Sequence, residues 1–367
     1  VQALSCAEKS HNVLLYALGQ RNITISGTGR IDGDGEAWFA AESDEQGYRL
    51  PRADRPRIIV FEDCEQVTLT AFTIVQAPMW TVHLVSCRHV HIDHLTIDNA
   101  MTMPNTDALD IDSCEAVFVS NSYLSAADDA ICIKTTHKPA ALRRPARQIM
   151  ITNCLLRSYS CAFKIGTETW DDVEDVTVTG CTIFDSNRGI GILSRDGGAM
   201  RRLLFSNLTF ACHHAPPCHW GKADPLHISV RRRDPAITPG IVEQVQFSNV
   251  TGVAEGAINL HAAEPGWIRD VVISQLQMRQ TVAPVAQGHY DVRPPCNPDS
   301  PTGMGLDNAY KLDPKTGEAF GVERYPGGLP GLFARGVENL QLHSLAIIRP
   351  EPLPPGWHPE CVVQLPD

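Results

Sequence analysis

The stretch "EDVTVTGCTI", residues 174–183, sets a charged pair before a run in which Val, Thr and Ile recur at alternate positions. Period-two alternation of β-branched residues marks a short, half-buried strand. The phrase returns as "EQVTLTAFTI" (65–74), "RHVHIDHLTI" (88–97), "EAVFVSNSYL" (115–124), "RQIMITNCLL" (147–156) and "RRLLFSNLTF" (201–210). Between Val67, Val90, Val117, Ile149, Val176 and Leu203 the intervals are 23, 27, 32, 27 and 27 residues. A second alternating run precedes each copy, among them "LDIDSC", "ICIKT", "FKIGTE" and "GIGILS". Helical periodicity is nearly absent, and few Asn-Gly or Asp-Gly turns separate the runs, which argues against a sandwich of hairpins. Two or three short strands per ~25 residues without crossover helices describe an all-β solenoid, a parallel β-helix of about ten coils.

Two intervals break the period: 42 residues separate Leu203 from Val245, and 69 separate Val271 from Leu340. The inserts, at about 211–226 and 279–333, are rich in Pro, Gly and polar residues. Loops leaving a rigid solenoid either wall a cleft or cap an open end, and both readings stand for the second insert. Residues 1–367 read as a single solenoid domain carrying these inserts.

The chain is 43% hydrophobic and 20% charged, an ordinary globular composition. A net charge of −11 argues against a nucleic-acid partner. No apolar run is long enough to span a membrane, and no signal peptide is visible. Of 12 cysteines, Cys64, Cys87 and Cys114 recur at one pattern position, and Cys154 and Cys181 at another. They read as buried thiols stacked coil upon coil. "CHHAPPCHW" (212–220) fits a loop disulfide between Cys212 and Cys218 or plain loop packing better than a metal site, because its spacing matches no standard zinc arrangement. No metal and no cofactor are expected.

The carboxylates are the unusual feature. "NTDALDIDSC" (105–114) holds Asp107, Asp110 and Asp112, and "ADDAICIKT" (127–135) adds Asp128 and Asp129. Coils of a β-helix stack ~4.8 Å apart, so equivalent positions form columns. Aligning Ile111 with Ile133 puts Asp107 over Asp129, with Trp80 and Cys161 in that column. His83 and Lys164 fall in the column of Asp110 and Cys132. One outer face then gathers Trp80, His83, Asp107, Asp110, Asp128, Asp129 and Lys164. An aromatic, several carboxylates and a cation suit sugar binding and acid–base work at a glycosidic bond. A solvated ladder of acidic residues is the plainer alternative.

"NTDALDID" followed 21 residues later, from Asp107 to Asp128, by "DDAICIK" resembles the polygalacturonase family, glycoside hydrolase family 28. The likeness runs from about "GTGRIDGDGEAWF" to the last coils. It implies a right-handed helix and hydrolysis of glycosidic bonds in pectin with inversion. Carried over, Asp128 is the general acid, Asp107 and Asp129 hold and activate the attacking water, and Asp110 supports them. Two family motifs are missing: the "GHG" histidine is replaced by Cys161, and the "RIK" pair that grips a uronate by Gly191 and Leu193. Either Lys164, Arg188, Arg195 or Lys134 supplies a rearranged carboxylate site, or the cleaved linkage carries no uronate. Lys164 can instead be a simple salt bridge, Arg195 a turn residue, and Trp220 either a sugar platform or loop packing.

The resemblance implies a carbohydrate partner, a pectic oligo- or polysaccharide, and a secreted or periplasmic location; the oligomeric state stays open. Exo action is expected if the inserts close one end of the cleft. A calcium-dependent polysaccharide lyase and a non-catalytic carbohydrate-binding β-helix remain as rivals.

Overall fold

A computed structural model describes residues 10–43, 49–51, 54–215, 220–285, 287–293, 296–308, 311–317 and 319–365. The recurring phrases become strands stacked in parallel. One ladder of eleven strands runs from Val13–Leu18 through Arg57–Glu62, Val82–Val85, Leu109–Asp112, Ile131–Thr135, Cys161–Thr169 and Arg188–Ser194. It continues through Leu226–Val230, Ile258–Ala262 and Leu332–Arg335 to Val362–Leu365. A sheet of 16 strands forms the other faces, and in the later coils these merge into strands such as Met200–Cys212 and Val242–Ala254. Each coil pairs with the equivalent strand of the next, as in Val117↔Ile149 and Val176↔Leu203. This is a right-handed parallel β-helix. Among the described residues no helix is long and apolar enough to cross a membrane.

Alternation decides what fills the interior. Val67, Val90, Val117, Ile149, Val176 and Leu203 all point into one continuous apolar core. Phe163, Phe205 and Phe247 stack along it, with ring centroids 5.5 and 5.0 Å apart. The thiol columns are also inside. Cys87 Sγ donates to Phe61 O at 3.2 Å, and Cys114 Sγ to Leu84 O at 3.3 Å, each reaching the preceding coil. Cys212 is a buried free thiol in the same core; Cys218 lies outside the described residues.

The corners escaped the sequence reading. Gln66, His89, Ala116, Gln148, Asp175 and Arg202 share one corner, all with φ between 55° and 59°. Non-glycine residues in the left-handed region cost on the order of 1 kcal/mol each, offset here by stacked ladder hydrogen bonds on both sides.

The inserts leave the helix between 213 and 225 and between 281 and 331. The second carries a small antiparallel pair, His289–Asp291 with Val322–Arg324. Both return to the eleven-stranded ladder, on the face that bears the aspartates.

Candidate active site

The register places the acidic face as follows. Asp110 pairs with His83 on one side and Cys132 on the other, Cys132 pairs with Lys164, and Lys164 with Gly191. Ala108 N–H donates to Asp129 O at 2.9 Å and Ala130 N–H to Cys161 O at 3.1 Å, so Asp107, Asp129 and Cys161 form one column. Arg188 extends that column by pairing with Cys161. Asp128 stands beside it, its backbone carbonyl accepting from Ser158 Oγ at 2.6 Å.

These strands floor a pocket of about 660 Å³ including its open mouth. Trp80, Asp107, Asp128, Lys164, Arg188 and Trp220 line it, all of them expected from the sequence. Asp129 and Asp110 lie fully buried immediately behind. Each of Asp107, Asp128 and Asp129 brings a carboxylate oxygen within 4.8 Å of the others. Lys134 Nζ sits 2.8 Å from Asp110 and 3.4 Å from Asp107, and 3.6 Å from the Trp80 ring centre. Lys164 Nζ reaches Asp129 at 2.5 Å, and Cys161 N–H donates to the other Asp129 oxygen at 3.3 Å.

Two expected residues are not brought to the pocket. His83 is buried, hydrogen-bonded to Arg57 at 2.6 Å and to Asp112 at 3.2 Å. Its ring meets Trp80 edge-on with centroids 4.9 Å apart, and Lys138 holds Asp112 at 2.6 Å. Arg195 is also buried, donating to Ser229 Oγ and to the carbonyls of Ser194, Ser229, Val292 and Arg293. It fastens the second insert to the solenoid. Arg188 reaches the lining but is bound to Asp224, to Asp291 at 3.4 Å and to Cys161 Sγ at 3.6 Å.

Other lining residues went unrecognised, among them Asn105, Glu168 and Arg293. Asn105 lies inside the quoted aspartate stretch, and its Nδ2 approaches Asp128 Oδ2 at 3.5 Å. Glu168 follows a register break, and Arg293 comes from the aperiodic insert.

Burial and mutual repulsion tune the carboxyls. Desolvation, then Asp129, pushes Asp128 up to about 6. Desolvation together with Asp110 and Asp128 holds Asp107 well above the ordinary carboxylate range. Burial opposes the charge on Lys134, but Asp110 and Asp107 more than offset this and keep it protonated. One carboxyl able to hold a proton near neutral pH beside one fixed by a lysine is the pairing that acid–base hydrolysis needs.

A model of the glycosyl hydrolases family 28 matches residues 4–211, more than half of the chain. The chain belongs to family 28. A probable polygalacturonase of Arabidopsis thaliana is 23% identical over 273 residues, covering 72% of this chain and 58% of that protein. This family 28 chain thus spans less than two thirds of that relative. An exopolygalacturonase from Thermotoga maritima superposes with a TM-score of 0.62 at 19% identity, over 77% of this chain and 70% of that one. A polygalacturonase from Erwinia carotovora ssp. carotovora gives 0.59 at 21% identity, over 75% and 74%. At these identities the structural likeness speaks for the fold.

Proposed function

We propose that this family 28 chain hydrolyses a glycosidic bond in a pectic or related plant-type saccharide, inverting the anomeric centre and working from a chain end. The convergence of Asp107, Asp128 and Asp129 within 4.8 Å at the pocket floor carries the reading. Asp128, with its carboxyl near 6, donates a proton to the glycosidic oxygen as the bond from the anomeric carbon breaks. A water held by Asp107 attacks that carbon, and its proton passes to Asp129, which Lys164 and the Cys161 N–H keep in place. Inversion is carried by family membership; general inverting pairs stand ~6.5–9.5 Å apart, wider than the approach here, so the anomer first released is the direct test. The exo assignment is supported by Trp220, Arg293 and Met304, lining residues that the two inserts contribute to the pocket. A polymeric substrate of this kind places the chain outside the cytoplasm.

A cation held by the three aspartates, as in a lyase, would be repelled by Lys134 and Lys164, which already bind Asp107 at 3.4 Å and Asp129 at 2.5 Å. Added chelator is therefore expected to leave turnover unchanged. The decisive experiment is product mass spectrometry on a panel of pectic oligosaccharides, wild type against Asp128→Asn. Products gaining one water each, with kcat falling about 10²–10⁴-fold in the variant, are expected. Unsaturated products, or turnover indifferent to Asp128, would sink the reading.

A further inference from the structure

Asn105 lines the pocket beside Asp128, and its other neighbour decides which way its amide faces. That neighbour is Arg55, a buried residue just before the strand Arg57–Glu62, two coils earlier. Its Nη1 donates to the Pro78 and Pro104 carbonyls at 3.2 and 2.7 Å, which fixes the guanidinium against the turn that carries Asn105. Its Nη2 then donates to Asn105 Oδ1 at 3.1 Å. A guanidinium has no acceptor, so the amide atom that meets it is the oxygen. Nδ2 is thereby turned towards Asp128, whose Oδ2 lies 3.5 Å away. The backbone suits this residue type, since Asn105 has φ 57°, a left-handed conformation that asparagine adopts more readily than most. Thr106 Oγ1 closes the same turn on Met103 O at 2.8 Å.

At 3.5 Å the contact is long, and it is of the kind that shortens and strengthens as the acceptor gains charge. In the hydrolase reading, one Asp128 oxygen passes its proton to the glycosidic oxygen, which takes up the electron pair of the breaking bond. The carboxylate left behind is a better acceptor than the acid was. A donor aimed at its other oxygen therefore stabilises the transition state more than the resting state, which is the condition for a contribution to rate. We propose that Asn105 is the positioning residue of the general acid: its Nδ2–H holds Asp128 Oδ2, leaving the other oxygen to carry the transferred proton, and Arg55 fixes the amide in that orientation. The inference rests on the assignment of Asp128 as the acid and deepens it. The charges that face Asp128 are those of Asp107, Asp129, Lys134 and Lys164, and a neutral replacement of Asn105 removes none of them.

The test compares wild type, Asn105→Gly, Arg55→Gln, Arg55→Lys, Asp128→Asn and the Asn105→Gly/Asp128→Asn double variant on pectic oligosaccharides, across pH. Glycine is neutral and accepts φ 57°, so Asn105→Gly is expected to fold. It should lower kcat roughly tenfold with KM little changed. It should also move the alkaline limb of kcat/KM about one unit to higher pH, because an acid that loses a donor to its ionised form holds its proton more tightly. Glutamine at 55 can present either N–H or carbonyl, which frees the amide to turn, so Arg55→Gln should move the limb the same way. Lysine can only donate, so Arg55→Lys should leave the limb in place. Melting temperatures establish folding, and Asn105→Gly decides alone where an Arg55 variant does not fold. In the Asp128→Asn background the glycine substitution should cause no further loss. A fall in kcat with the limb unmoved, a rise in KM in place of the fall in kcat, or a further loss in that background overturns the inference and spares the hydrolase. Turnover indifferent to Asp128 overturns both.

Discussion

At the residue scale, the Asp128 carboxyl is where chemistry and stability oppose each other. In the proposed mechanism Asp128 must carry its proton, so kcat/KM is expected to fall as pH rises through about 6, a limb that pH-rate profiles will show or not. The same shift has a stability consequence. The folded-state value lies above the ordinary 3.8, so the folded chain holds this proton more tightly than the unfolded one. That contribution is complete below the unfolded value and is lost as pH rises through about 6. An asparagine is neutral throughout. Asp128→Asn should therefore be more stable than wild type at pH 7.5, by roughly 3 kcal/mol, with the difference shrinking towards pH 4. Thermal unfolding at the two pH values checks it. A variant that gains stability while losing turnover is the behaviour expected of a site whose like charges are retained for function.

Among the elements, the coil is the repeating unit, and its interior depends on neighbours one period away. Phe205 packs between Phe163 and Phe247 at 5.5 and 5.0 Å and is fully buried. Replacing it with alanine leaves a void that neither ring can fill from a fixed strand. Phe205→Ala is expected to lose about 3–5 kcal/mol, measured by denaturant unfolding. The corners behave differently. The left-handed residues at Gln66, His89 and Ala116 are dictated by ladders above and below, which is why their local sequence looks unremarkable for a turn.

For the whole molecule, the inserts turn an exposed strand face into a pocket. Arg195 fixes the second insert through the Val292 and Arg293 carbonyls, and Arg188 and Arg293 converge on its Asp291. Removing residues 285–330 should open one side of the site, and the product pattern on long pectic chains should shift from terminal sugars to internal fragments. An unchanged pattern on chromatography would refute the exo assignment.

The repeat made much of this readable before any coordinates. Fixed spacing between alternating runs determines the stacking register, and register alone carried Asp107 over Asp129 and Lys164 beside Cys132. What it could not show was which outward side chains meet solvent and which are covered. His83 and Arg195 point outward as their alternation requires, yet both are buried, His83 among Arg57, Trp80 and Asp112, and Arg195 against the carbonyls of the second insert. Glu168 was hidden for another reason. Ile133 pairs with Ile165 but Thr135 with Thr169, so residues 166–168 face a single partner position and the alternation loses its parity. Arg293 sits in a segment with no period at all. A periodic sequence specifies the ladder because each coil repeats the same local interactions; the pocket wall is made by segments distant along the chain, whose meeting only tertiary packing decides.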